Sequence, residues 1–211
     1  MEINLTEKKI KKLKTGDIIL FSGTKTLFDK AIEYITKTPY SHIGIILKNP
    51  TFIDPSLNKG IYFWESGIES FPDPSTKKKP LGIRISLFKD VYDTCKKDQQ
   101  MYFRRILYEK PIKEKKLDEI YKVVKNKPYD LNIIDWICAA FNIKIPRTTD
   151  RFWCSAFVGY IFWYLKFLND DIDWTIMRPS DFSSLYSHTK FYNCSFTNEI
   201  LITDNNINKL T

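Results

Sequence analysis

The chain has 211 residues, 43% of them hydrophobic and 15% aromatic, which is enough apolar material for one packed core and too much for a disordered chain. Only 7 glycines and no repeat period exclude collagen-like, low-complexity and turn-dense repeat architectures. Lys and Arg outnumber Asp and Glu by 33 to 25, and a net charge of +8 is compatible with nucleic acid, an anionic membrane or an acidic partner without selecting one.

The lysines fall into separate groups, at Lys8, Lys9, Lys11, Lys12 and Lys14, at Lys77, Lys78 and Lys79, and at Lys113, Lys115 and Lys116, which reads as solvated surface rather than one patch. The N-terminal stretch MEINLTEKKIKKLKTGD has no apolar signal region, so the expected setting is the reducing cytoplasm and disulfides are not expected. Cys95, Cys138, Cys154 and Cys194 lie far apart with no CxxC pair; no structural zinc, other metal or cofactor is expected. One domain is expected over residues 1–211, with its core at about 15–185, a basic segment at 1–14 and a tail at 193–211 that no motif accounts for.

In chain order, DIILF (Asp17–Phe21) reads as a buried strand between turns, and Leu27, Phe28, Ala31, Ile32 and Ile35 recur at helical spacing up to Thr38-Pro39. Strands follow at Ser41–Leu47, with His42 at the start, at Gly60–Glu65 and at Leu81–Leu87, the last two separated by the polar excursion FPDPSTKKKP. Met101–Tyr108 reads as a fifth strand, in which Arg104 and Arg105 point to an edge or a solvated face. Leu117, Ile120, Tyr121 and Val124 predict an amphipathic helix ending near Lys127-Pro128. Residues 130–141 are mixed, and Thr148, Thr149 or Asp150 could cap a helix starting near Arg151. That apolar helix, Phe152–Leu165, is too short to cross a bilayer and suits a buried position. Beyond Asn169 loops, a short helix near Arg178-Pro179-Ser180-Asp181, and a final strand or frayed tail are expected. Strands first and helices later is an α+β layout.

Of the two histidines, His188 sits in the polar segment LYSHTK, whereas His42 opens an apolar strand in which Gly44 admits the close approach of a backbone or ligand. Cys154 falls in the first turn of the apolar helix, where unpaired N–H groups and the helix dipole favour a thiolate. Each has a plain structural alternative: a histidine bonded to a carbonyl, and a buried cysteine among Phe152, Trp153, Ala156, Phe157 and Val158. Cys138 in an apolar run, Cys95 in a charged loop and Cys194 in a polar tail lack a nucleophile context. A thiolate–imidazole pair needs an orienting group, and Glu65, one strand beyond His42, is the choice; Asp17, Asp130 and Asp150 are the alternatives. No GxSxG, phosphate loop or GxGxxG is present.

Five landmarks stand in order: Gly16-Asp17-Ile18, Ser41-His42-Ile43-Gly44, Trp64-Glu65-Ser66, Lys127-Pro128-Tyr129-Asp130 and Trp153-Cys154-Ser155, with Arg178–Phe182 (RPSDF) beyond them. In these the chain resembles the circularly permuted papain-like (NlpC-like) thiol hydrolases, in particular the YiiX-like group that includes poxviral members, over roughly residues 15–185. The histidine preceding the cysteine is the mark of the permutation. The resemblance implies a permuted papain-like α+β fold, an antiparallel sheet or small barrel packed against helices, with the cysteine at a helix N-terminus. It implies Cys154 as nucleophile, His42 as base, Glu65 as orienter and the Cys154 backbone N–H in an oxyanion hole, acting on an amide or ester by acyl transfer.

Trp64, Phe152, Trp153 and Tyr40 are the candidate substrate-binding side chains. The aromatic segments FNIKIP and RFWC, with the basic surface, lean toward a lipid or acyl-bearing substrate near an anionic membrane. The alternatives are an inactive lipid- or protein-binding module on the same fold and, last, a nucleic-acid protein; nucleic acid is not the expected partner. The Lys-, Ile- and Asn-rich composition fits an AT-rich genome such as that of a large DNA virus, which would place the protein in the host cytoplasm or virion.

Overall fold

A computed structural model describes residues 12–23, 38–67, 81–130, 149–185 and 187–211. The elements are β1 (Ile18–Ser22), β2 (Tyr40–Lys48), β3 (Ile61–Gly67), β4 (Gly82–Leu87), α1 (Phe88–Cys95), β5 (Gln100–Arg104), β6 (Ile106–Tyr108), α2 (Glu114–Val124), α3 (Cys154–Tyr164), β7 (Cys194–Phe196), β8 (Ile200–Leu201) and α4 (Asp204–Leu210). Six strands pair antiparallel in the order β4-β3-β2-β1-β5-β8, and β6 pairs with β7 beside them. The mixed α+β layout with an antiparallel sheet packed against helices is as expected.

Because side chains alternate across a strand, both faces of this sheet are apolar and both are covered. Ile18, Leu20, Ile43, Ile45 and Trp64 pack with Leu117 and Ile120 of α2 and Phe157 and Ile161 of α3. Ile19, Phe21, Ile46, Phe63 and Phe103 pack on the opposite face with Phe88 and Val91 of α1 and Ile207 and Leu210 of α4. No helix of the described residues is long and apolar enough to cross a membrane.

Several expectations are corrected. The single strand over Met101–Tyr108 breaks at Arg105 into β5 and β6, which belong to different sheets. Arg104 and Arg105 are buried rather than solvated, because the chain supplies acceptors around them. Arg104 donates to the carbonyls of Thr197 and Phe182 and lies 5.2 Å over the Phe196 ring. Arg105 donates to the Lys12 carbonyl and pairs with Asp17 at 3.2 Å. Cys95 sits on α1 in the buried stripe of Phe88, Val91, Tyr92 and Cys95, not in a charged loop.

The helix expected from Arg151 starts at Cys154: Phe152 bridges to Tyr129, Trp153 is extended, and no side chain caps the helix. The helix near Arg178 is a single 3-10 turn, Pro179–Phe182. The tail from Asn193 is integral, with β7 on β6, β8 extending the main sheet, and α4 capped by Thr203 and tied to Leu13, whose N–H donates to the Leu210 carbonyl. The predicted helix over Leu27–Ile35, the FPDPSTKKKP excursion, the residues 131–141 including Cys138, and the FNIKIP segment lie outside the described residues.

Asp17 is fully buried where β1 begins; it accepts N–H bonds from Lys14 at 2.7 Å and Ile106 at 3.1 Å and faces Arg105. Burial pushes its carboxyl up to about 6 in spite of Arg105 and the two amides. The folded state therefore holds this proton more tightly than the unfolded chain, so Asp17 erodes stability as pH rises from about 4 to about 6. Asp17→Asn is expected to remove that slope: the stability difference between parent and variant, read from urea unfolding, should change by about 2–3 kcal/mol across this window.

Candidate active site

β2 and β3 are paired from Lys48↔Ile61 to Ile45↔Trp64 and no further, while β3 runs on beside β4 to Gly67↔Gly82. Beyond the end of that ladder His42 of β2 and Glu65 of β3 meet through their side chains, His42 Nε2 against Glu65 Oε2. The segment 152–154 arrives at the same place. The Ser66 hydroxyl donates to the Phe152 carbonyl at 2.6 Å, and Cys154 lies near enough to His42 for its charge to act on the imidazole.

Each of the three side chains is held from behind. The His42 ring stands edge-on to Phe21 and Phe63, with centroids 5.2 and 6.3 Å away. Gly44 makes that possible, since a Cβ there would lie 2.3 Å from the Phe63 ring; the close approach expected at Gly44 is that of a side chain. Glu65 lies directly across the ladder from Arg84, whose Nε and Nη2 reach its Oε1 at 3.0 and 2.9 Å. The guanidinium occupies the space over Gly67, where a Cβ would come within 2.6 Å of Nη2. Cys154 is the first residue of α3, and the Met177 carbonyl fixes that end by accepting from Trp153 Nε1 at 3.2 Å and the Ser155 hydroxyl at 2.7 Å.

The electrostatics follow from burial and pairing. Burial drives Glu65 toward its neutral form, but Arg84 and His42 outweigh it and hold the carboxyl at about 2. Burial also opposes the His42 cation, yet the charges of Cys154 and Glu65, with the Glu65 hydrogen bond, raise it to about 10. The His42 side chain is 19% exposed and Glu65 only 2%, so the imidazole keeps some access to solvent and the carboxylate has almost none.

The other acids are engaged elsewhere: Asp17 with Arg105, Asp130 with Arg151 at 3.2 Å, and the exposed Asp150 with Lys127 at 3.6 Å. Trp64, Phe152 and Trp153, expected as substrate-binding side chains, are buried core. Trp64 neighbours Glu65 in the strand and therefore points to the opposite face, edge-on to Phe157 of α3. Phe152 stacks on Trp174 at 5.8 Å. Tyr40 is also mostly buried, but it borders a cavity of about 630 Å³ together with Ser22, Gln100, Tyr102, Ser184 and Glu199. Cys194 is half-buried in β7, and burial pushes its thiol up to about 12. Sequence reasoning passed over Arg84 and Gly67; the signal was an arginine in the apolar alternation of LGIRISL, opposite the only acid of GIYFWE.

No protein-family model matches the chain, and no curated protein matches it. Among solved structures it is similar to the crystal structure of metalloprotein yiiX from Escherichia coli O157:H7, with a TM-score of 0.50 and 16% identity, over 90% of this chain and 98% of that one. The fold is YiiX-like. At that identity the likeness is one of fold, and the site stands on its own geometry.

The coupling of His42 to Cys154 can be read directly, because only two histidines are present. The imidazole carbon resonances of His42 are expected to stay in the protonated form up to about pH 9 in the parent. In Cys154→Ser, which cannot carry the thiolate charge, the His42 titration should fall by more than about one pH unit. An unchanged titration would show that Cys154 does not act on His42.

Proposed function

We propose that the protein is a thiol hydrolase or acyltransferase of the circularly permuted papain-like type, cleaving an amide or ester bond with Cys154 as nucleophile, His42 as acid and base, and Glu65 as orienter. The observation that carries this reading is one imidazole hydrogen-bonded to a buried carboxylate and within electrostatic reach of a cysteine at a helix N-terminus. The chain order His42, Glu65, Cys154 and the YiiX-like fold support it.

In the proposed cycle the Cys154 thiolate attacks the carbonyl carbon and a C–S bond forms. The backbone N–H of Cys154, one of the helix N-terminal donors left without an intrahelical acceptor, steadies the oxyanion. Collapse breaks the C–N or C–O bond, and the leaving amine or alcohol takes its proton from His42. Water, or an acceptor alcohol or amine, then gives its proton to His42 as it attacks the thioester; the C–S bond breaks and the thiolate returns.

The structural neighbour is titled a metalloprotein. The described residues do not fit such a role. No group of three or more His, Cys, Asp or Glu among the described residues is arranged to hold a metal ion, and Glu65 already faces the Arg84 cation, which a divalent ion would oppose. A lipid or acylated substrate near an anionic membrane rests on the net charge of +8, since Trp64, Phe152 and Trp153 are core.

Labelling with a fluorescent iodoacetamide at about pH 6, resolved by peptide mass, tests the reading. Cys154 should label ahead of the other cysteines, lose its label in Cys154→Ala, and slow by about a hundredfold in His42→Ala. Equal labelling of Cys154 in the parent and in His42→Ala would sink the enzyme reading and leave a binding module.

A further inference from the structure

The proposed cycle asks of Glu65 something that its surroundings oppose. The side chain is 2% exposed, and a carboxylate so enclosed drifts to its neutral form unless cations face it. His42 is an intermittent cation: it gives its proton to the leaving group and recovers it from water. While His42 is neutral, a Glu65 with no other partner would be an uncompensated buried anion. That penalty would fall on the very step in which the proton has to leave.

The structure supplies a second cation, a guanidinium. Arg84 faces Glu65 across the β3–β4 ladder, itself 1% exposed, with two nitrogens on Oε1 while Oε2 is left for His42. Among the described residues the charged groups acting on the carboxylate are Arg84 from β4 and His42 from β2, with Cys154 of α3 acting on the imidazole. Gly67, two residues along the same face, leaves the room the guanidinium fills. We infer that Arg84 is a positioning residue, which divides the two oxygens of Glu65 between itself and His42 and keeps the carboxylate charged through the half-cycle in which His42 is neutral. This rests on the thiol-hydrolase reading of the site. A lysine would keep the charge but not the planar fork that places two donors on one oxygen, so Arg84→Lys should fall between parent and Arg84→Met.

Two readouts on the full chain test the role separately from that reading. The first is the rate of Cys154 alkylation by iodoacetamide from about pH 4 to 9. In Arg84→Met its acid limb should move up by about one pH unit and the rate at about pH 5 fall about tenfold, because a neutral Glu65 no longer supports the imidazolium. Arg84→Lys should restore part of the loss, and in a Glu65→Gln background Arg84→Met should cause no further loss. The second is the His42 carbon resonance, which senses protonation of Glu65 whether or not Cys154 is reactive. An inflection absent above about pH 4 in the parent should appear between about pH 4 and 6 in Arg84→Met.

If Arg84→Met does not fold, as judged by circular dichroism, Arg84→Lys against the parent carries both readouts. A parent-like alkylation profile with a parent-like His42 titration in the folded variant would overturn the inference, as would an equal loss in the Glu65→Gln background. A Cys154 that alkylates no faster than an ordinary thiol, with the His42 inflection shifted as stated, would overturn the hydrolase reading and leave the action of Arg84 on Glu65 standing.

Discussion

A carboxylate can stay ionised inside a protein only if cations meet it there, and Glu65 is met from two strands at once. Its neighbours in the sheet are arranged around that requirement. β4 has to pair with β3 in the one register that sets Arg84 opposite Glu65, and a shift by one residue would send the guanidinium to the other face. β2 has to leave the β3 ladder at Ile45, or His42 would lie in a continuous sheet with no opening for the segment 152–154. Gly44 and Gly67 then follow as necessities of space, one beneath the Phe63 ring and one beneath the guanidinium.

The same alternation explains why catalytic-looking and core residues sit side by side in sequence. In Trp64-Glu65-Ser66 the tryptophan and the glutamate go to opposite faces, one under α3 and the other toward His42. Ser66 shares the face of Trp64 and ties β3 to the chain just before the cysteine. Aromatic residues flanking a candidate nucleophile thus turn out to build the rigid floor on which α3 rests. Helix α3 is apolar on every side, as its burial from Cys154 through Phe162 requires, and Gly159 lets it settle against Trp174 and Met177.

Much of this was legible in the sequence because it depends on local pattern. Short apolar runs bounded by turn residues located β1 through β4, the apolar run and its position located a helix beginning close to Cys154, and the order of short motifs brought His42, Glu65 and Cys154 to attention. What could not be read depends on partners distant in sequence. Arg104 and Arg105 look solvated until the carbonyls of Phe182 and Thr197 and the Asp17 carboxylate are brought to them by folding. The tail carries no motif, yet Ile202, Ile207 and Leu210 finish the core on the α1 face. Arg84 falls between these cases: in LGIRISL it lies on the face opposite Ile83 and Ile85, and only the β3–β4 register names its partner.

The charge arrangement also ties the site to the stability of the fold. The carboxyl of Glu65 lies below its ordinary value when folded, so its contribution is present above about pH 4.5 and is lost as pH falls toward about 2. His42 lies above its ordinary value, so its contribution is complete below about pH 6.5 and is lost as pH rises through about 10. Between those limits imidazolium and carboxylate support each other, and the acid–base pair proposed for chemistry is also part of what holds β2 and β3 together past the end of their ladder. Asp17 acts in the opposite sense, since its folded carboxyl is raised and its ionisation weakens the fold. The two buried acids differ in how fully their cations compensate burial: Glu65 has both Arg84 nitrogens and His42, whereas Asp17 has Arg105 and two amides, and burial wins. Where a buried carboxylate stays ionised beside the histidine, this fold supplies charges in excess of the desolvation they must overcome.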